Sequence, residues 1–92
     1  MPHELGFSVA APTVQLLEQF PVPEAHRSQP IVVDVTAGSP AARAGLRVGD
    51  SILDVNRRSV RNANDVRRRL QRGPNSIRIA RGEQVAILII EP

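Results

Sequence analysis

The stretch that decides the fold is GSPAARAGLRVGD, residues 38–50. Ser39 offers a side-chain oxygen that can cap the start of a helix, and Pro40 follows at the first helical position, where a missing N–H loses no hydrogen bond. Gly45 can adopt the left-handed conformation that ends a helix. The stretch therefore predicts a short helix that is closed by a glycine and followed by a Gly-Asp turn.

The second informative stretch is ELGFSV, residues 4–9. Leu5, Phe7 and Val9 alternate with other residues, which predicts a short strand with one apolar face. Gly6 allows the neighbouring main-chain N–H groups to turn toward one point and leaves room for a ligand's main chain to approach. Such a nest of donors can hold a carboxylate, and the strand edge beside it can accept an extended peptide.

Together the two stretches resemble a PDZ domain of the HtrA/Deg serine protease type, in which the carboxylate-binding loop lies near the N-terminus. The resemblance covers residues 4–91, and the pattern GSPAxxAGLxxGD is more specific than the bare LGF. It implies a single PDZ domain at residues 1–92, cut from a longer bacterial protease. Other sources remain open, such as a site-2 protease, a C-terminal processing protease or a secretion component, but the strand and helix of residues 5–20 favour the HtrA type.

The remaining elements follow from periodicity and turn chemistry. Strands are predicted at residues 5–10, 31–35, 51–55, near 60, 77–81 and 84–90; helices at 13–20, 39–45 and 62–71; and a Pro-rich loop at 21–30, with Leu46 and Val48 entering the core. Strands outnumber helices and do not alternate regularly with them. The fold class is therefore mainly β (α+β), a small, partly open β-barrel or sandwich capped by two helices.

Composition narrows the possible chemistry. The 92 residues are 41% hydrophobic but only 2% aromatic, so one modest core must be built from Val, Ile, Leu and Ala. The longest apolar run, residues 85–90, has the length of a strand and not the roughly 18–20 residues of a membrane span. There is no cysteine, which excludes disulfides and thiolate metal sites.

The resemblance assigns a peptide-binding site in which a guest C-terminus runs antiparallel to the first strand. The carboxylate is expected against the main-chain N–H groups of Leu5, Gly6 and Phe7, and the first, fifth and eighth positions of the long helix are expected to line the groove. The assigned residues are Leu5, Gly6, Phe7, Ser8, Val9, Ala63, Arg67 and Leu70.

Within this site, Leu5, Phe7 and Leu70 are expected to wall an apolar pocket for the last side chain of the guest. Ala63 replaces the histidine with which some PDZ domains select Ser or Thr, so the resemblance implies no such preference. Arg67 either binds an acidic side chain of the guest or belongs to a solvated run of arginines.

Catalysis by this chain alone is not expected. The two histidines, His3 and His26, lie near the terminus and in the Pro-rich loop, without a serine elbow or metal-ligand spacing around them. No phosphate-binding loop is present either. We therefore predict no catalytic residue, no metal and no cofactor, and the resemblance implies the non-catalytic domain of a trypsin-like serine protease.

The partners implied by the resemblance are C-terminal or unfolded peptide segments and the parent protease domain, in a substrate-recruiting and regulatory role in protein quality control. The compartment it implies is the periplasm or cell envelope. All twelve basic residues are arginine and the net charge is a mild +3. An alternative is a nucleic-acid-binding surface at Arg61, Arg67, Arg68, Arg69 and Arg72, but stacking aromatics are scarce. We therefore expect no nucleic-acid partner and no membrane contact.

Overall fold

The computed structural model describes residues 5–20 and 22–92. It contains six strands and three α-helices in these residues, with a short 3-10 turn at Glu24–His26 in the Pro-rich loop. The elements are β1 (Phe7–Ala10), α1 (Val14–Gln19), β2 (Ile31–Val35), α2 (Pro40–Ala44), β3 (Ser51–Val55), β4 (Arg58–Ser59), α3 (Ala63–Arg69), β5 (Asn75–Arg81) and β6 (Gln84–Ile90).

The strands form one antiparallel sheet in the order β1-β2-β3-β5-β6, with the short β4 paired to β3. In the described part of the chain, β1 and β6 stand at the two ends of this order, so the sheet is not closed. The fold class predicted from the sequence is confirmed, as one open sheet with flanking helices.

One cluster of buried aliphatic side chains joins the sheet to α2 and α3. Val66 is the residue through which α3 enters this cluster, and Ala41 does the same for α2. The larger buried members are Leu5, Phe7, Val32, Leu46, Ile52, Val55, Val60, Ile77, Ile79 and Ile90. Phe7 is the sole aromatic residue among them, as the composition required.

Capping residues define the short helices. The Ser39 hydroxyl accepts from the Ala42 N–H at 3.2 Å, and Gly45 ends α2 with a φ of 95°. Thr13 caps α1, and the Asn62 side chain caps α3 by accepting from the Asp65 N–H at 2.8 Å. Helices of five to seven residues are not stable alone, so the caps and the core contacts together maintain them.

Four sequence predictions are wrong in detail. Val48 is 45% exposed and not in the core, because the turn closed by the Asp50 N–H and the Arg47 carbonyl places it at the tip. The third helix ends at Arg69 and not at residue 71, because Leu70 is extended. The first strand begins at Phe7, and β5 begins two residues earlier than predicted. The proline at position 21, expected to end the first helix, lies outside the described residues.

Candidate functional site

The turn before β1 directs its main-chain groups to two sides. The Leu5 carbonyl accepts from the Ala41 N–H at 3.0 Å, and the Gly6 carbonyl accepts from the Thr36 N–H at 2.7 Å. Both carbonyls therefore face the body of the domain. In a trans peptide the N–H of the next residue points the opposite way, so the Gly6 N–H faces away from Ala41 and the Phe7 N–H faces away from Thr36.

The structure explains the glycine at position 6 in part differently from the sequence, which indicated backbone freedom and room for a ligand's main chain. Its φ of 90° is the left-handed region that favours glycine, as a nest of donors requires. The space that a side chain would need, however, is filled by Ser39, whose Cβ and Oγ would overlap an added Cβ. Close approach by α2, and not room for a ligand, is thus the steric cause.

The ladder between β1 and β2 determines which groups face outward. Gly6 and Thr36 face each other at a hydrogen-bonded position of the ladder. The next pair in the register is Phe7 with Val35. Because hydrogen-bonded and non-hydrogen-bonded pairs alternate in antiparallel ladders, the N–H and C=O of Phe7 are directed away from β2. They lie on the side where no other strand of residues 5–20 and 22–92 pairs with β1.

Leu5 and Phe7 are core residues, with exposed fractions of 5% and 2%. With so little accessible surface, their side chains can contribute to the predicted apolar pocket from below, as its floor, and this role stays a prediction. Half-buried Val9 and Leu70 both pack against the same core cluster. Like Ala63, they are predicted site residues whose apolar surface is still partly accessible, and Ser8, which precedes Val9 on β1, is also half-buried.

The structure places the three predicted positions of α3 in different environments. Ala63 and Leu70 are half-buried, whereas Arg67 is exposed. The Arg67 guanidinium donates to the Asn64 side-chain oxygen at 3.2 Å, which is a contact within the helix. An exposed arginine with one neutral partner is able to turn toward another acceptor at little cost.

A buried amide network holds the C-terminal end of α3, and sequence reasoning missed it. The Asn56 side chain donates to the Arg69 carbonyl at 2.7 Å and to the Asn75 side-chain oxygen at 2.9 Å. Asn75 is fully buried and also accepts from the Gln71 N–H at 2.8 Å. Because this network fixes α3 against β3 and β5, it sets the distance between Leu70 and the sheet.

A second missed contact joins the Gly-Asp turn to the end of β5. Asp50 is 2% exposed, and its carboxylate accepts from the Arg47 N–H at 2.9 Å and from two nitrogens of Arg81 at 2.8 and 2.7 Å. The bonds from Arg81 to the Asp50 carboxylate raise the pKa of the Arg81 guanidinium, which stays charged at all ordinary pH values.

Charge is distributed unevenly along the chain. Residues 56–73 contain seven arginines and one aspartate, a net charge of +6, while the remainder contains five arginines and eight acids, a net charge of −3. The one acid, Asp65, accepts from the Arg61 N–H at 3.0 Å and pairs with Arg69 at 3.3 Å. The bond from the Arg61 N–H is the main cause that lowers the pKa of Asp65.

The described residues contain no group of three or more His, Cys, Asp or Glu side chains that could hold a metal ion. In the same part of the chain, no helix has both the length and the apolar character that a membrane crossing requires.

Comparison with known protein families identifies the family of this chain. Residues 31–90 match the family PDZ_6, described as PDZ domain. The chain belongs to the PDZ family. The family match begins at β2, so it does not include the Gly6 turn or β1 of this PDZ domain.

Two curated relatives are serine proteases. HhoB of Synechocystis sp., named as a serine protease, is 36% identical over 66 residues, which are 67% of this chain and 16% of the relative. The periplasmic serine endoprotease DegP of Escherichia coli is 34% identical over 63 residues, which are 66% of this chain and 13% of DegP. This PDZ domain thus spans a sixth or less of the length of either protease.

Solved structures extend the likeness to nearly the whole chain. The HtrA3 PDZ domain bound to a phage-derived ligand, FGRWV, superposes with a TM-score of 0.79 at 27% identity, over 96% of this chain and 82% of that chain. The HtrA-type protease AlgW with a decapeptide gives a TM-score of 0.80 at 31% identity, over 95% of this chain and 27% of that chain. The predicted resemblance to the HtrA type is confirmed.

Proposed function

We propose that this PDZ domain captures protein C-termini or unfolded segments as an added strand on β1. One observation carries the proposal. The main-chain N–H of buried Gly6 has no acceptor among the described residues, and it precedes a strand whose outer edge pairs with no other described strand. A buried N–H is normally satisfied in native structures, and a guest carboxylate supplies the acceptor.

The energetics favour a carboxylate at this position. A hydrogen bond to a charged acceptor contributes about 1.5–3 kcal/mol when it is buried. Further bonds along residues 7–9 add affinity without reading the guest's sequence. Because the guest is short and must be ordered on binding, we expect a dissociation constant near the micromolar range, about −8 kcal/mol.

Selectivity comes from the side chains beside β1. Val9 and Leu70, above the floor formed by Leu5 and Phe7, favour an apolar last residue in the guest. Ala63 offers no hydrogen bond, so Ser or Thr two residues earlier brings no gain. Arg67 selects an acidic side chain near the guest's end, since its guanidinium is exposed and has only Asn64 as a partner.

The proposal extends to the parent protein. The relatives named above are serine proteases, and one is periplasmic by name. This supports a domain at residues 1–92 that recruits substrate and regulates an HtrA-like protease of the periplasm or cell envelope without supplying a catalytic group. The alternative is a PDZ module of another protease or a secretion component; a trypsin-like domain encoded beside it would exclude that alternative.

The experiment compares two forms of one peptide, ending in Val as a free acid or as an amide. We expect the amide to lose at least tenfold in affinity by calorimetry, because it removes the charge that the Gly6 N–H binds. Equal affinity of the two forms would refute the carboxylate site.

Arg67 is tested with a pair of variants. Arg67→Ala should reduce the preference for peptides with an acidic penultimate residue, while Arg68→Ala, on the exposed side of the same helix, should leave it unchanged. Loss of the preference in both variants would indicate a general charge effect, and no loss in either would remove Arg67 from the site.

A second candidate function, nucleic-acid binding, is favoured by one observation, the net charge of +6 on residues 56–73. Binding through phosphates would weaken steeply as salt rises. A duplex DNA titration at two salt concentrations separates the two functions. We expect no binding at physiological salt, since Phe7 is buried and half-buried Phe20 lies close to Gly49, so neither ring is presented for stacking on bases.

A further inference from the structure

The last strand, β6, has an unusual surface for the edge of a sheet. Five large hydrophobic side chains are exposed in the described residues, and three of them lie on this strand. Val85, Ile87 and Ile89 are exposed to 52%, 65% and 50%, and they alternate along one face of the strand. Residues 85–90 contain no charge and no proline, and β6 pairs with β5 without a register shift, so neither charge, proline nor a bulge blocks this edge.

The main chain of the same three residues is directed outward. Gly82 and Glu83 form a two-residue hairpin loop closed by Arg81 and Gln84, and such a loop closes on a hydrogen-bonded pair. Alternation along the ladder then makes Val85, Ile87 and Ile89 the non-hydrogen-bonded positions. Their N–H and C=O groups therefore point to the outer edge of β6, where no described strand pairs.

This edge is complementary to itself. Only one antiparallel register pairs all seven residues of Gln84–Ile90 with the same seven in a second copy, and its centre is Ile87. In that register Ile87 is opposite Ile87, and Val85 is opposite Ile89, each at a hydrogen-bonded position. The exposed stripes of the two copies then form one continuous apolar face, as a two-fold interface requires.

Charge is compatible with this arrangement. The paired strand is uncharged from residue 85 to 90, so two copies can approach without repulsion at the centre. Beyond its ends Glu83 would lie near Glu91 of the second copy. Arg43 of α2 lines a shallow groove together with Ile89 and Glu91, so a positive charge is present at this end of the strand.

We infer that β6 is an interface between two copies of this chain, which pair edge to edge about a two-fold axis at Ile87. The interface is distinct from β1, at the other end of the sheet, and it leaves that strand available to a guest. It is also smaller than the 20–30 residues per side of a standard interface. The isolated chain should therefore dimerise weakly, with a dissociation constant of about 0.1–1 mM.

Sedimentation equilibrium up to about 1 mM tests the inference. We expect a monomer–dimer equilibrium that Ile87→Lys weakens at least tenfold. Val14→Lys is the matched control, because Val14 is an equally apolar residue, 73% exposed, on α1, and it should leave the equilibrium unchanged. A chain that stays monomeric throughout, or a dimer that both variants weaken equally, would overturn the inference.

Cysteine crosslinking tests the register of the two strands. Because the chain has no native cysteine, only the introduced thiols can react. Opposed residues of an antiparallel pair lie within the Cα separation of a disulfide. On oxidation Ile87→Cys should crosslink to itself, and Val85→Cys should crosslink to Ile89→Cys but not to itself. Val14→Cys is the control. Crosslinking of Ile87→Cys no faster than of the control would overturn the proposed pairing.

Discussion

At the residue scale, Gly6 has the most specific role in the structure. Its φ of 90° and the contact with Ser39 both exclude a side chain. The sequence indicated the backbone conformation from the apolar-Gly-apolar pattern. It could not indicate the steric cause, because Ser39 is 33 residues away and comes close only in the folded chain.

We predict that Gly6→Ala lowers the free energy of unfolding by about 2–4 kcal/mol, from backbone strain together with the overlap on Ser39. Adding Ser39→Gly should restore part of this loss, since glycine is a tolerable helix cap. Gly38→Ala is the control, because its φ is 76° but no atom lies within 4 Å of the added Cβ. Urea denaturation gives the free energy of unfolding of the parent chain, Gly6→Ala, the double variant and Gly38→Ala. A double variant no more stable than Gly6→Ala would contradict the overlap with Ser39.

Arg81 and Arg78 form a second matched comparison. Arg81→Ala leaves the buried Asp50 carboxylate without its main partner and should cost about 2–3 kcal/mol of unfolding free energy. Arg78→Ala removes an ion pair with Asp54 in which the arginine is 47% exposed, and it should cost less than about 1 kcal/mol. Thermal denaturation that ranks the two variants in the opposite order would show that the burial of Asp50 is not decisive.

At the element scale, α3 is determined by contacts at both ends. Asn62 and Asp65 define its start, which the sequence analysis placed at residue 62: the Asn62 side chain accepts from the Asp65 N–H, and the Asp65 carboxylate accepts from the Arg61 N–H. Its end depends on Asn56 and Asn75, which lie on either side of the helix in sequence. No local pattern marks such a pair, and this explains why the end of the helix was placed two residues too late.

Stability should depend on pH through the start of α3. The pKa of Asp65 is lowered in the folded chain, so its ionised form stabilises that state above about pH 4, and the contribution is lost as the pH falls through the folded pKa. Asp65→Ala should therefore lower the urea midpoint at pH 7 and have less effect at pH 3. Asp34→Ala, which removes an exposed carboxylate on β2, is the control. A difference between Asp65→Ala and the parent chain that is equal at both pH values would contradict this.

At the scale of the whole molecule, the fold was largely predictable because its turns and caps are local. Ser39, Gly45, Asn62 and the Gly82 turn each define a boundary by their own chemistry. Predictions of side-chain environment were less accurate: Val48, which was expected in the core, is exposed. Periodicity shows which face of an element is apolar, but only the packed structure shows whether that face meets the core or a guest.

The two ends of the sheet have different chemistry, and this separates their roles. The β1 end combines a left-handed glycine, an outward N–H and half-buried apolar side chains, which suit a guest with a terminal carboxylate. The β6 end has an apolar stripe and an outer edge of alternating main-chain N–H and C=O groups, which suits a like strand. Because β1 and β6 are separated by three strands in the sheet order, both ends can be occupied in the same molecule.

The most direct measurement of the central claim is the amide signal of Gly6 during titration with a Val-terminated peptide. If the carboxylate binds there, the Gly6 amide proton moves downfield and gains protection from hydrogen exchange with the free-acid peptide, and does neither with the amidated one. The residues of β1 and α3 should shift in parallel. A peptide that binds while the Gly6 signal stays in place, or that shifts it equally in both forms, would contradict the account.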